Sequence, residues 1–503
     1  MRRLAGRPEG LHYVLRPRGL HYVLRPRGLH YVLRPKGLHY VLLCAAVVQA
    51  FRPAFAQTEP DWTKADAETL AHYSALVRFD TSAKERAAVE YIKKVLDDHG
   101  IPAQTYALEA DRPNVVARLK GNGRKRPLLI MGHTDTVTID PAKWKPFGAF
   151  SAARDGGWIY GRGTVDDKDN LTAGLMMVLL LKQYNVPLDR DVVYLAESGE
   201  EGNARVGIGH MVAQHFDDID AEYCLAEGGD GIRERGAIKY VEVETTEKIP
   251  NGIELVARGI SGHGSIPLKS NAIVHLATAV GKIGEWRPDI KLNETTATYF
   301  RKLSQVAPPE QAKYYRDVLS PDPKVARAAD DWLFENEPRH SSMLRTSVSP
   351  NIFDGGYRSN VIPSEAKATL DVRMVPDEDK AAFLEQLKKI VNDPSVDVHY
   401  NNQASRPAPA AARLDSELFK TVEAAVTKVY NAPTLPNMQT GATDMAQVRA
   451  RGMQCVGIGS AIDVEDQTKG FGMHSDQERI IESELYRFVR FNWEIVNALA
   501  RAR

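Results

Sequence analysis

A histidine and an aspartate two residues apart close an apolar run in Arg126–Val137, "RPLLIMGHTDTV". On a strand, positions i and i+2 lie on one side, so His133 and Asp135 can face the same spot. Three further stretches bring acids to the ends of predicted strands or into a Gly-rich loop: "GRGTVDDKDN" (Gly161–Asn170), "AESGEEGN" (Ala196–Asn203) and "LAEGGD" (Leu225–Asp230). Asp166, Asp167 and Asp169 stand in the first of these, Glu197 and the adjacent pair Glu200–Glu201 in the second, and Glu227 and Asp230 in the third. Open α/β sheets collect ligands beyond the carboxyl ends of their strands, which predicts one crevice holding an imidazole and several carboxylates. Carboxylates brought within about 4–6 Å of one another resist ionising together. A divalent cation removes that conflict, and imidazole plus carboxylate ligands suit zinc in a site that keeps one position open. The chemistry expected is metal-assisted hydrolysis. A serine hydrolase is not supported, because "GISGH" lacks the final Gly of G-x-S-x-G.

The elements around these residues alternate. Residues 64–100 read as helices, the second with a Ser82 cap and Gly100 at its stop. "NVVARLKG", "PLLIMGHTD", "DVVYLAE" and "AEYCLAEGG" read as strands. Leu171–Tyr184, apolar on most faces, reads as a buried helix, with Asp169 placed to cap it. Strand–helix alternation predicts an α/β fold with a mainly parallel sheet. Near Pro250 the pattern changes to strand, helix, strand, helix, strand, ending in the Pro/Ala-rich link Ser405–Ala412. This predicts a catalytic domain in two parts, 57–249 and 411–503, with an inserted α+β domain over 250–410. Residues 287–345 read as helical decoration without an assigned role. Cys224 and Cys455 lie in apolar surroundings and read as buried free thiols. His210, His215 and His275 fall in helical stretches and read as ordinary, and Asp444 in "TGATDMAQ" receives no chemistry.

Together the motifs "GHTDTV", W-x-x-F before "IYGRGTVDDK", "ESGEEGN", "ISGHGSIP", "RSNVIPSEAKATLDVR" and "GMHSDQER" resemble, in order, those of the dizinc exopeptidases. That family includes glutamate carboxypeptidase, aminoacylase, acetylornithine deacetylase, carnosinase-type dipeptidases and carboxypeptidase S. The resemblance runs from about residue 65 to the C-terminus. It implies a zinc-exopeptidase catalytic domain with an inserted ferredoxin-like lid domain and two zinc ions per subunit, with cobalt or manganese as alternatives. It implies that His133 and Glu227 complete one metal site, that Glu201 and His474 complete the other, and that Asp166 bridges both through a cis Asp166–Asp167 peptide. Glu200 would be the general base, and Asp135 would orient the far nitrogen of His133. His263 matches the residue that stabilises the tetrahedral oxyanion, often from the partner subunit of a dimer. Asn360 and Arg373 match lid positions for the substrate carboxylate, Asn360 being the better candidate. Where the family commonly has Gly after its "DDK", Asp169-Asn170 stand here, as in the carboxypeptidase S branch. The implied function is a carboxypeptidase or dipeptidase cleaving an amide next to a free carboxylate. An N-acyl-amino-acid deacylase is the alternative, and a non-catalytic binding protein is a third reading opposed by the intact Glu200.

The N-terminus is of another kind. "GLHYVLRPR" starts at Gly10 and Gly19, "GLHYVLRPK" at Gly28, and a fourth start at Gly37 runs into the apolar stretch Tyr40–Phe51. A nine-residue unit with Arg and Pro in each of its three full copies has no helical or solenoid logic and reads as tandem duplication. Ala54 and Ala56 then sit at the −3 and −1 positions of a cut before Gln57, so residues 1–56 read as a repeat-extended signal peptide. Export to the periplasm or medium is expected, with no stable membrane anchor, since the apolar run is too short to span a bilayer. Residues 1–56 hold ten Lys/Arg and one acid, Glu9, leaving the body with 55 basic and 64 acidic residues. A mildly acidic body argues against a nucleic-acid partner. The expected partners are a peptide or N-acyl-amino-acid substrate and a second copy, as a homodimer through the inserted domain.

Overall fold

A computed structural model describes residues 59–401 and 406–502. The repeat-extended signal peptide expected over 1–56 lies outside the described residues. Where the sequence holds apolar runs, buried strands form: Leu128–His133, Val192–Glu197 and Tyr223–Ala226 are buried at every position. Strands covered on both faces carry such runs, and they pair in parallel. The path of the ten-stranded sheet is Ala103–Tyr106, Asn114–Leu119, Val192–Glu197, Leu128–His133, Tyr223–Ala226, Gln454–Gly457, Ala237–Glu247, Gly231–Glu234 and Ala461–Asp463. Thr434–Gln439 pairs with Ala237–Glu247 off this path. From Val192–Glu197 to Gln454–Gly457 every pairing is parallel, with His133 opposite Glu197 and Cys455 opposite Cys224. The mainly parallel α/β sheet read from the sequence is therefore the fold, flanked by antiparallel outer pairs.

Helices cover both faces. Arg86–Asp98, Lys168–Gln183, Glu417–Tyr430 and Glu482–Ala500 share one core, while Ile208–Gln214 and Met445–Arg449 cover the opposite face. Ser416 caps its helix by accepting from the Phe419 N–H at 3.1 Å. Ser82 does not cap: its helix begins at Arg86, where the Asp111 carbonyl accepts from both Glu85 and Arg86 N–H groups, and the Ser82 hydroxyl bonds Asp80 instead. Among the described residues no helix is long and apolar enough to cross a membrane.

A second, four-stranded sheet takes the order Ser347–Gly355, Glu365–Met374, Ile249–Arg258, Val396–Tyr400, all antiparallel. Helices Ala272–Glu285 and Lys380–Val391 bury its one apolar face. Buried and more exposed positions alternate along Glu365–Met374, as one-sided burial demands. The chain order βαββαβ makes this a ferredoxin-like layer.

Residues 294–343 fall in sequence within the stretch assigned to the inserted domain, yet they pack on the main sheet. Helix Glu294–Val306 lies on Thr434–Gln439, with Tyr299, Phe300, Leu303 and Leu333 clustered against Leu435 and Met438. The Tyr299 hydroxyl donates to buried Glu242 at 2.7 Å, and Arg339 pairs with the same carboxylate at 2.6 Å. The apolar faces of these helices bury where an edge strand of the main sheet is available, which sequence order does not reveal.

Gly174, inside the buried helix, faces Tyr194: a Cβ there would lie 2.8 Å from the ring. Alanine would improve helix propensity by about 1 kcal/mol. Overpacking a filled core costs about 1–3 kcal/mol, and the Tyr194 hydroxyl is tied to the Leu171 carbonyl at 2.9 Å, so the ring cannot swing away freely. Gly174→Ala should therefore lower the thermal unfolding midpoint, and a raised midpoint would contradict this packing.

Candidate metal centre

The cluster forms beyond the carboxyl end of the central strands. His133 ends its strand fully buried, and its N–H donates to the Asp167 carboxylate at 3.0 Å. The strand and the helix carrying Asp167 can approach this closely because residue 132 is glycine: a Cβ there would meet Asp167 Oδ2 at 2.9 Å and Leu171 N at 3.0 Å. His133 Nε2 faces Asp166 Oδ1 at 3.1 Å and Glu227 Oε2 at 3.8 Å. The Asp166–Asp167 peptide is cis. Asp166 Oδ2 points the other way, 3.0 Å from His474 Nε2, which also lies 3.0 Å from Glu201 Oε1. His474 holds φ +62°, a left-handed backbone that costs a non-glycine residue about 1–3 kcal/mol and persists where surrounding contacts impose it.

Asp135 is buried behind this cluster. Its Oδ1 accepts from the Gly199 and Glu200 N–H groups at 2.8 and 3.1 Å, and its Oδ2 accepts from Glu201 N–H at 3.1 Å. One carboxylate thus fixes the turn that presents both glutamates. It orients His133 less directly than the resemblance implies. Nδ1 lies 3.1 Å from the Asp135 carbonyl oxygen and 3.5 Å from the carboxylate, because the carboxylate is committed to the 199–201 turn.

The electrostatics are those of a site with surplus negative charge. Burial pushes the Glu200 carboxyl up, and burial and then Glu200 push Glu227 well up. His474 is raised to about 10 by its bonds to Asp166 and Glu201. For Asp166, burial opposes ionisation, but the two imidazoles outweigh it and hold the group below the ordinary carboxylate range. A dication among the ligands would oppose the upward shifts of Glu200, Glu227 and His474 and would hold Asp166 ionised. The distances fit one as well. Two ligands about 2.1 Å from a tetrahedral ion stand about 3.4 Å apart, against the 3.0–3.8 Å found here. Two ligand groups emerge, His133 with Asp166 and Glu201, and His133 with Glu200 and Glu227, each with its ligand atoms within 4.8 Å.

The competing acids take other places. Asp167 holds the His133 backbone, and burial pushes its carboxyl well up. Asp169 does not cap its helix. Its carboxylate accepts from Ser460 N–H at 3.3 Å, and the helix starts earlier, at Lys168, with no side-chain cap. Asp230 is pushed up to about 7 by burial and by Glu242. Glu197 is buried with its carbonyl accepting from Thr134.

His263, Asn360 and Arg373 belong to the ferredoxin-like layer. His263 sits on a two-residue strand paired with Val361–Ile362, exposed, with Nδ1 2.8 Å from the Ser265 hydroxyl. The Asn360 carbonyl accepts from Gly264 N–H at 2.8 Å, so these two residues are neighbours. Arg373 Nε donates to Asp371 at 2.9 Å. Among the described residues, no hydrogen bond or ion pair joins any of the three to the His133–His474 cluster.

Arg406 was invisible in the sequence, standing in what reads as a linker. Its Nη2 lies 3.2 Å from Glu200 Oε1, and its Nη1 lies 3.3 Å from the buried carboxylate of Asp444. An arginine in a Pro/Ala-rich stretch carries no motif signal, and only the chain's return across the crevice brings it to the base.

The profile described as "Peptidase family M20/M25/M40" matches residues 129–497. A probable carboxypeptidase S-like 2 of Dictyostelium discoideum is 29% identical over 62% of this chain and 60% of its own length. The human N-fatty-acyl-amino acid synthase/hydrolase PM20D1 is 27% identical over 63% of this chain and 64% of its own. The chain thus spans less than two thirds of the length of these two relatives. Among solved structures, an M20 family metallo-carboxypeptidase, Sso-CP2 from Sulfolobus solfataricus, superposes with a TM-score of 0.63 at 21% identity, covering 86% of this chain and 99% of that one. The profile takes in every segment that contributes to the cluster, from the His133 strand to the helix after His474, and the chain belongs to this family of metal-dependent peptidases.

Proposed function

We propose that the chain is an exported dinuclear-zinc hydrolase that cleaves an amide bond next to a free carboxylate, as a carboxypeptidase or dipeptidase. The observation that carries this reading is the two-sided Asp166, with Oδ1 toward His133 and Oδ2 toward His474, and Glu200 in the same neighbourhood. His133, Glu227 and Asp166 would hold one ion, and His474, Glu201 and Asp166 the other; cobalt or manganese suit the same donors. Bound there, the ions would polarise the scissile carbonyl and make water a nucleophile near neutral pH. Glu200 then takes the proton of the attacking water and delivers it to the leaving nitrogen. Its turn is fixed by Asp135, which keeps the base in one geometry from step to step. Arg406, beside Glu200, offers a guanidinium to the substrate carboxylate.

In this reading His263 meets the oxyanion, and Asn360 reaches the substrate carboxylate, with Arg373 sharing that role or bracing the lid, when the ferredoxin-like layer of the same or a second subunit covers the crevice. A homodimer is supported by the outer strand Ser347–Gly355, largely exposed, with Ile352 and Phe353 uncovered. An unpaired edge of this kind is self-complementary in a two-fold contact. Export is supported by the Ala54 and Ala56 spacing. A second reading, an N-acyl-amino-acid deacylase, is favoured by the name of the human relative.

Glu200→Gln should lower kcat by about 10²–10⁴-fold with bound metal unchanged, as steady-state kinetics beside metal analysis would read; wild-type turnover would remove the base assignment. A panel of dipeptides and N-acyl amino acids should be cleaved in the dipeptide arm, whereas cleavage of N-acyl amino acids alone selects the second reading. Metal analysis of the purified protein should return two zinc equivalents, and chelation should abolish turnover until zinc is restored. Arg406→Ala should raise KM about 10–100-fold for substrates with a free carboxylate and move the acid limb of the kcat–pH profile upward, because the guanidinium also holds the Glu200 carboxyl down against burial.

A further inference from the structure

Between the loop that carries Asp166 and the loop that carries His474 lies a buried ion pair that no step of the reaction uses. Arg162 is 3% exposed, and the Glu478 side chain is fully buried. Glu478 Oε2 accepts from Arg162 Nη1 at 2.7 Å, and its Oε1 accepts from Val165 N–H at 2.9 Å. The Glu478 carbonyl accepts from Gly161 N–H at 3.0 Å. The second guanidinium nitrogen of Arg162 donates to the carbonyl of His474 itself at 3.4 Å, and Trp144 lies over the guanidinium at 5.4 Å. One carboxylate therefore grips the loop one residue before Asp166. Its partner guanidinium, from that same loop, grips the backbone of His474, whose left-handed conformation needs outside support. A buried ion pair adds little net stability over a packed apolar pair of the same volume, because desolvation offsets the attraction. What it supplies is fixed direction, and here one direction ends on His474 and the other on the residue before Asp166.

We propose that Arg162 and Glu478 are positioning residues that join the Asp166 and His474 loops into one unit, so that the second metal's ligands stand assembled before the ion arrives. The inference rests on the two-metal reading above. Glu478→Gln is nearly isosteric and keeps an acceptor for Val165 while losing the charge that holds Arg162. Arg162→Lys keeps a charge and loses the planar fork needed to reach Glu478 and His474 together.

The test is titration of metal-free wild type and both variants with zinc chloride alone against a chromophoric chelator, with circular dichroism and thermal midpoints recorded on the same samples. Each variant should bind the second equivalent about 10–100-fold more weakly, the range typical when a group supporting a ligand is removed, and should lose less affinity for the first, which shares only Asp166 with it. Excess zinc should restore kcat with KM little changed. Wild type binding a single equivalent would sink the two-metal reading. Wild type binding two, with both variants matching it, would overturn the positioning role alone. So would equal weakening of both equivalents, or two variants that fail to fold, since either marks a general structural role.

Discussion

The structure depends on keeping several carboxylates and two imidazoles in contact at the carboxyl end of a parallel sheet. Left alone, Asp166, Glu200, Glu201 and Glu227 repel one another, and burial raises that cost by withdrawing water. The fold meets this constraint by committing backbone donors and paired cations to the acids that do not face the crevice. Asp135 takes three N–H groups of the 199–201 turn, Asp167 takes His133 N–H, and Asp169 takes Ser460 N–H. What is left uncommitted points inward, with the geometry of ligands rather than of a solvated acidic patch.

The same logic runs outward through the protein. Glu242, in the strand beside the cluster, is neutralised by Arg339 from the helical segment 294–343 and bonded by Tyr299 and Asn437. Glu244 and Glu247 of that strand share Arg449. These helices are thus a source of charge and apolar cover for the main sheet. The ferredoxin-like layer stands differently: it has its own core, and among the described residues no hydrogen bond or ion pair joins His263, Asn360 or Arg373 to the cluster.

Much of this was legible before any coordinates. The apolar runs of Leu128–Met131, Val192–Ala196 and Tyr223–Ala226 could form only buried strands, and the helix around Leu171–Leu181 could lie only between layers. Polar residues appearing abruptly where such runs end, as at His133, Glu200 and Glu227, signal a crevice, because a strand buried on both faces gives a charged side chain no other outlet. Ser82 and Asp169 have the chemistry of helix caps but bond elsewhere, Ser82 to Asp80 two residues away and Asp169 to Ser460 across 291 residues.

The sequence by itself determined the element types, the order of the ligand-bearing turns and the chemical class of their donors, since all three follow from short-range periodicity and residue chemistry. Which residues meet across long separations was decided only by the tertiary structure. Arg406 reaches Glu200 across 206 residues, Arg162 reaches His474 across 312, and residues 294–343 leave their sequence neighbours for the main sheet. Such contacts arise from how layers stack and where a returning chain crosses a crevice. No local pattern encodes them, because the free energy that selects them is that of burying whole faces.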